Sequence, residues 1–152
     1  MYGDTITVFN RKEGSRGDTW YPSVLRGVQV SMDRAAIMAR YGAESADNAI
    51  VHVRYEVDGD DRYISGKLYL PPKQWDQMDN PAEAVTFTAG NRFDFFWVGD
   101  WRSETPVQDA DYAGTGNPDF YAYMNKTHDH VFAITSVSGP FKLIPHFEIL
   151  GK

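Results

Sequence analysis

Cysteine is absent from the 152-residue chain, so neither disulfide bonds nor a cysteine-based zinc site can stabilise the fold. The chain also lacks any apolar run approaching the roughly 20 residues needed to span a membrane. Its first residues have neither the basic nor the apolar segment of a signal peptide. These absences predict a soluble protein, with no membrane contact, that is made in a reducing cytoplasm.

The common catalytic motifs are absent as well. The sequence has no glycine-rich phosphate loop, no Gly-x-Ser-x-Gly elbow and no His-Glu-x-x-His zinc motif. Its acidic residues are scattered, and no spacing selects a catalytic pair. We therefore predict that the protein is not an enzyme and uses no cofactor.

The formal net charge of −6 argues against tight, phosphate-driven binding of nucleic acid. Much of this charge lies in the segment 100–119, where Arg102 is the only basic residue. The acidic residues of this segment are Asp100, Glu104, Asp109, Asp111 and Asp119. We expect an acidic loop that is solvated; a local field that repels DNA or steers a basic partner is the alternative.

Alternating apolar residues and turn signals predict about eight strands. Two strands are expected at 5–9 and 20–32. Six more should form three hairpins, which pair 50–57 with 62–70, 84–88 with 93–98, and 131–137 with 142–150. Val51, Val53 and Tyr55 should face the core, and Pro145 should place the last strand at a sheet edge. We therefore predict one mainly β domain over residues 1–152. It should be a small antiparallel β-barrel or sandwich with a long projecting loop and a few short helices.

Helix is expected in three short pieces. Asp33 is suited to cap a helix over residues 34–41 that Gly42 closes. Prolines favour further helical turns over 72–78 and 118–125, the latter with Asn117 as its cap.

The longest connection is the insert 33–48, which separates two alternating strands. Hairpin loops usually have about two to five residues, so this segment exceeds what the connection requires. Its first half is apolar and its second half is small and polar. We predict a channel or docking loop, formed by Asp33, Arg34, Ile37, Met38, Arg40, Tyr41 and Glu44. In the alternative, the apolar half packs over an open end of its own barrel.

Two short motifs resemble metal sites. His128 and His130 share one face of an extended segment, and His146 is a further imidazole elsewhere in the chain. The segment 58–61 resembles half of a calcium loop but lacks the spaced ligands and the distal Glu, and Asp-Gly is a strong turn signal. We interpret both motifs as turns and predict no metal site.

Aromatic residues make up 14% of the chain and are dense in 93–101. Both faces of the strand there are largely apolar, which favours a central strand or a subunit interface. We predict a subunit interface that includes Trp97, Trp101, Phe147 and Ile149. Exposed aromatic rings that bind a sugar, as in a carbohydrate-binding β-sandwich module, are the alternative.

Several segments resemble an uncharacterised family of tailed-phage structural proteins. They are 1–11, 33–36, 41–44, 70–75, 93–96 and 144–149, and they cover nearly the whole length of the chain. The order of strand, long loop and the segment 52–55 is similar to head-closure (stopper) proteins of long-tailed phages. Those proteins are small β-barrels in which a loop between two early strands projects toward the DNA channel.

The resemblance implies a non-enzymatic virion protein in the neck, made in the cytoplasm of a bacterial host. It would form a homo-oligomeric ring of roughly six or twelve copies, closed by heterologous interfaces. The ring would join the capsid portal and its adaptor to the tail proteins, and genomic DNA would pass through it without sequence-specific binding. A tail terminator or another neck protein is the alternative within the same class.

Overall fold

A computed structural model describes residues 2–42, 47–114 and 116–152. The protein is mainly β, with 44% of residues in strands and 18% in helices. The strands are β1 (Asp4–Lys12), β2 (Thr19–Ser31), β3 (Ala49–Arg54), β4 (Glu56–Asp58), β5 (Asp61–Ile64), β6 (Lys67–Tyr69), β7 (Ala84–Val85), β8 (Phe95–Trp97), β9 (Val107–Gln108), β10 (Val131–Phe141) and β11 (His146–Gly151). The helices are α1 (Arg34–Tyr41), α2 (Pro72–Asp76) and α3 (Phe120–Thr127), with 3-10 turns at Pro81–Glu83 and Asp109–Asp111.

Six strands close into an antiparallel barrel, which confirms the predicted fold class. Around the barrel they follow the order β1-β8-β10-β11-β3-β2, and β2 pairs with β1 to complete the circle. β9 adds to β2 outside this circle, and β4-β5-β6-β7 form a second sheet. None of the helices in the described ranges has the length and apolar character needed to cross a membrane.

Alternating side chains from the six strands fill the barrel interior. Val51, Val53 and Tyr55 are buried there, as predicted. A second core lies under α3 and consists of Phe9, Trp20, Phe95, Phe120, Met124 and Val131. Burying side chains of this size stabilises the fold by about 1.5–3 kcal/mol each relative to full exposure.

The predicted strand 50–57 divides at Tyr55. Its first part is β3 of the barrel, and its second part, β4, pairs with β5 across the predicted turn. Ser65 and Gly66 both have positive φ angles, 51° and 78°, and they connect β5 to β6 as a two-residue hairpin turn.

The predicted pairing of 84–88 with 93–98 is also wrong. β7 pairs in parallel with β6, whereas β8 lies between β1 and β10. The two segments are instead joined by the buried carboxylate of Asp94. It accepts hydrogen bonds from the backbone N–H of Arg11 (2.8 Å), the backbone N–H of Thr88 (2.9 Å) and Asn10 Nδ2 (2.9 Å). Burial raises the pKa of Asp94 from 3.8 to about 7, against the effect of these three donors.

The third hairpin is confirmed, with a different turn. β10 and β11 pair as predicted, but residues 142–145 connect them. β11 was expected at a sheet edge, and this is wrong because it lies between β10 and β3. Pro145 precedes the strand, so its missing N–H interrupts no hydrogen bond of the ladder.

Helix positions agree with the sequence more closely than strand pairings do. The Asp33 carboxylate caps α1 by accepting a hydrogen bond from the N–H of Ala35 (3.0 Å), and Gly42 ends the helix with a φ of 98°. α2 ends two residues earlier than predicted. The cap of α3 is Asp119, which accepts from the N–H of Ala122 (2.8 Å), and not Asn117.

The acidic segment 100–119 has structural tasks beside its exposure to solvent. Asp109 Oδ1 accepts hydrogen bonds from Trp20 Nε1 (2.7 Å) and from the N–H of Phe120 (3.0 Å). These contacts tie the segment to β2 and to the start of α3. Part of the acidic charge is therefore used to hold the second core together.

Candidate functional site

A polar row crosses the outer face of the barrel where β3 and β11 pair. The register places His52 opposite Glu148 and Arg54 opposite His146. Because side chains alternate along a strand, the residues between them fill the barrel interior, and this row faces outward. The pairing therefore brings together two imidazoles and a carboxylate that are far apart in the sequence.

Helix α1 covers one end of this row. Ile37 is fully buried against Ile50 and Leu150, which also face outward from β3 and β11. Ile37 thus fixes the insert to the outer wall of its own barrel, while Ala35 and Ala36 are exposed; the alternative expected the whole apolar half over an open end of the barrel. Met38, on the next position of the helix, is partly exposed.

Glu148 is held by the end of α1. Arg40 Nη2 donates a hydrogen bond to Oε2 of Glu148 (3.0 Å), and the Tyr41 hydroxyl donates to Oε1. Only 5% of the Glu148 side chain is exposed, compared with 57% of the Arg40 side chain. The insert therefore supplies the partners for a buried carboxylate of the barrel.

His52 lies beside these groups. Its ring centroid is 5.7 Å from that of His146, with 30° between the ring planes. Burial lowers the pKa of His52 from its ordinary value of 6.5, and the nearby charges of His146 and Arg40 act in the same direction. Within the described ranges, no hydrogen bond engages its ring nitrogens.

The orientation of His146 is set by two contacts. Its Nδ1 lies 2.6 Å from the carbonyl oxygen of Ile144, and since a carbonyl only accepts, Nδ1 carries the proton. Its ring stacks on Phe141, with centroids 4.8 Å apart. When the imidazole is neutral, the remaining nitrogen, Nε2, is the one with a lone pair to offer.

Chemically, this is a set of candidate metal ligands. His52, His146 and Glu148 each offer one donor atom, and these atoms lie within 4.8 Å of one another. Two imidazoles and one carboxylate are a known ligand set for zinc. The sequence prediction of no metal site did not consider this group.

The histidines that the sequence singled out lie elsewhere. His128 packs beside Trp97 and Trp101, with ring centroids 5.3 and 6.2 Å away, and its Nδ1 is 2.8 Å from the Thr127 hydroxyl. His130 has a φ of 61° just before β10. The described residues around this pair do not form a three-ligand group with it.

Two further residues of the insert have local tasks. Asp33 caps α1, and Arg34 donates a hydrogen bond to the carbonyl of Asp47. Glu44 lies outside the described residues. With Ile37 buried, Met38 and Tyr41 are the exposed large hydrophobic side chains of α1.

The predicted subunit interface needs correction. Phe147 and Ile149 are fully buried in the barrel core, so neither side chain reaches the surface. Trp97 and Trp101 are partly exposed, and they meet edge to face at the border of the second core. Only the tryptophan half of the predicted interface is at the surface of the chain.

An apolar tip, defined as Phe141, Leu143 and Ile144, lies where β10 turns into β11. The exposed fractions of these side chains are 42%, 98% and 65%. The tip is adjacent to the polar row, because the Ile144 carbonyl accepts a hydrogen bond from His146 and the Phe141 ring stacks on the His146 ring. This is the most exposed apolar surface that the described residues present.

Sequence reasoning missed His52 and Glu148. Alternation along β3 and β11 already indicates which residues share an outer face. It does not indicate that these two strands are neighbours, because 91 residues separate the end of one from the start of the other. Their pairing was the missing information.

The whole chain, residues 1–152, matches the model of a family of unknown function, DUF6751. The chain belongs to this family. No curated protein and no solved structure matches it.

Proposed function

We propose that this member of the family is a non-enzymatic structural protein of the phage neck, a head-closure ring that joins the portal and its adaptor to the tail. The apolar tip is the observation that carries the proposal. Three exposed apolar residues on one turn are unfavourable in water, and such patches mark protein contacts. The resemblance of the sequence to tailed-phage structural proteins supplies the class of partner.

The closed barrel limits how neighbouring copies can meet. Both edges of β11 are paired, so the strand edge near residues 142–150 is not free to extend a sheet into a neighbour. Ring contacts in this part of the chain would therefore use side chains, with the tip of one copy against another surface of the next. An interface of this kind typically buries at least about 1,000 Å² in total.

The exposed part of α1 is suited to a second contact. Met38 is partly exposed, and so is Tyr41, whose hydroxyl reaches Glu148 of the barrel, while Ile37 fixes the helix to the barrel. In this proposal α1 faces the channel or an axial neighbour as a docked helix. Genomic DNA passes such a ring without being retained, since the chain carries a net charge of −6.

The test is a phage that encodes this chain and from which the gene is removed. We expect heads that lose their DNA or fail to join tails, and imaging of wild-type particles should show a ring beneath the portal and its adaptor. A ring at the head-proximal end of the tail tube would favour a tail terminator. Full heads joined to tails in the absence of the protein would contradict the neck assignment.

The apolar tip is tested by complementation. Leu143→Ser combined with Ile144→Ser should leave the isolated chain folded but reduce the yield of tailed particles. Val57→Ser is the matched control, because Val57 is 61% exposed but lies on the second sheet. Equal yields for the two variants would remove the tip from the assembly contacts.

A further inference from the structure

We propose that His52, His146 and Glu148 form a binding site for a divalent transition-metal ion of the zinc type, for which Arg40 competes. The site stands independently of the proposed neck function. It revises the sequence-based prediction that the protein has no metal site.

The first step is the ligand set. Two histidines with one carboxylate suit zinc, and the same set is found in iron(II) sites. Affinity for zinc generally exceeds that for iron(II) and manganese. Calcium and magnesium prefer oxygen ligands and should bind weakly where two of the three ligands are imidazoles.

The second step is geometry. Donor atoms around a tetrahedral zinc ion lie about 3.4 Å apart, given bonds of about 2.0–2.2 Å. The three donor atoms here are within 4.8 Å of one another. Side-chain rotations that move each donor atom by about an ångström bring them to the tetrahedral spacing. The strand pairing that places His52 opposite Glu148 holds their backbones in position.

The third step is support behind the ligands. A histidine that binds a metal usually donates its other N–H to a carbonyl or carboxylate, which fixes its tautomer. His146 already does this through Nδ1 and the Ile144 carbonyl (2.6 Å). The stacked ring of Phe141 further restrains the imidazole.

The fourth step is the competitor. Arg40 places a positive charge 3.0 Å from Oε2 of Glu148, and the Tyr41 hydroxyl donates to Oε1. A metal ion on Glu148 would lie close to the guanidinium and be repelled by it. Metal binding therefore displaces Arg40 into solvent, where more than half of its side chain already lies.

The experiment is a calorimetric titration of the metal-free, full-length protein with zinc, with magnesium and calcium in parallel. We expect one zinc ion per chain and no comparable binding of the other two ions. His52→Ala and Glu148→Gln should each weaken zinc binding by about 100-fold or more, because even outer partners of metal ligands contribute about 10–100-fold. The matched control is the double variant His128→Ala and His130→Ala, which should bind zinc like the wild type.

Arg40→Met tests the competition directly. It removes the charge but keeps an apolar stem, and it should tighten zinc binding by about fivefold to 150-fold, because the metal-free state loses the contact with Glu148 that zinc would have to break. A purely structural role of the cluster predicts no gain of affinity in this variant. Weaker binding by Arg40→Met would show that Arg40 supports the site, and the competition would be wrong.

A spectroscopic readout in the wild-type protein does not depend on how the variants fold. Zinc should shift the imidazole ¹⁵N resonances of His52 and His146 and leave those of His128 and His130 unchanged. Cobalt(II), used as a zinc substitute, should give visible absorption bands typical of tetrahedral coordination. No binding in the titration, or shifts confined to His128 and His130, would overturn the proposal.

Discussion

Asp94 and Glu148 are both buried carboxylates, and they differ in which groups donate hydrogen bonds to them. Asp94 lies in the interior and receives its hydrogen bonds from the backbone of Arg11 and Thr88 and from the side chain of Asn10. Glu148 lies under α1 and receives them from Arg40 and Tyr41, which belong to the insert. The partners of Asp94 are fixed by the barrel, whereas those of Glu148 come from a helix at its surface.

The difference indicates different tasks. Backbone donors hold one arrangement of the chain, so Asp94 joins β1 to the segments on either side of residue 90 and serves the fold. A long, half-exposed arginine can leave its partner and be replaced by another cation. Substitutions at the two carboxylates and at their partners should therefore have different effects.

Replacing Asp94 should have the largest effect. Asp94→Ala leaves the donors of Arg11, Thr88 and Asn10, buried or partly buried, without their acceptor, and we expect a loss of about 3–5 kcal/mol in the free energy of unfolding. Denaturant unfolding measures it, with the exposed Asp79→Ala as the control. If the two variants were equally stable, Asp94 would not be the structural carboxylate of the pair.

The pH dependence of stability should carry the signature of Asp94. Its pKa is raised to about 7 in the folded protein and is near 3.8 in the unfolded chain, so between these values the folded state binds more protons. The free energy of unfolding therefore falls as pH rises from about 4 to about 7, by up to about 1.4 kcal/mol per unit from this group. Asp94→Asn should remove that part of the slope; an unchanged slope would contradict the assignment.

For Glu148, the effect should depend on which partner is removed. Arg40→Met leaves a buried carboxylate without its cation and should cost about 1–3 kcal/mol in the metal-free protein. Glu148→Gln leaves Arg40, more than half of whose side chain is already in solvent, without its partner. Its loss in the free energy of unfolding should therefore be smaller than that of Arg40→Met. Denaturant unfolding of both variants decides the order, and the reverse order would mean that Arg40 contributes by packing.

The smallest effect is expected for Tyr41→Phe. This change removes the hydroxyl that donates to Oε1 of Glu148 and keeps the ring, so we expect a loss of about 0.5–1.5 kcal/mol. Thermal or denaturant unfolding measures it against Tyr63→Phe, whose hydroxyl has no such partner among the described hydrogen bonds. Equal losses in both variants would exclude Tyr41 from the set that holds Glu148.

Local signals in the sequence were sufficient for the elements and for much of the core. The cap at Asp33, the stop at Gly42 and the buried faces of Val51 and Val53 depend on residues within a few positions of one another. The break of strand 50–57 at Tyr55 and the parallel pairing of β6 with β7 depend on distant segments, and sequence patterns missed both.

The candidate site shows the same division. Arg40 and Tyr41 were predicted as functional because the insert is long for its connection. His128 and His130 were considered as ligands because they are close in sequence, yet one of them packs among tryptophans. His52 and His146 come together only through the register of β3 and β11, which no local pattern specifies.

The central position of β11 has a consequence for a nascent chain on the ribosome. Translation at about 5–20 residues per second delivers β3 several seconds before its neighbour in the barrel emerges. Until residues 146–151 are synthesised, the edges of β3 and β10 that β11 will join stay unpaired. Ile37 then has only Ile50 of its two packing partners, because Leu150 is still missing. Barrel closure, docking of α1 and the meeting of Glu148 with His52 are therefore late, coupled events of synthesis.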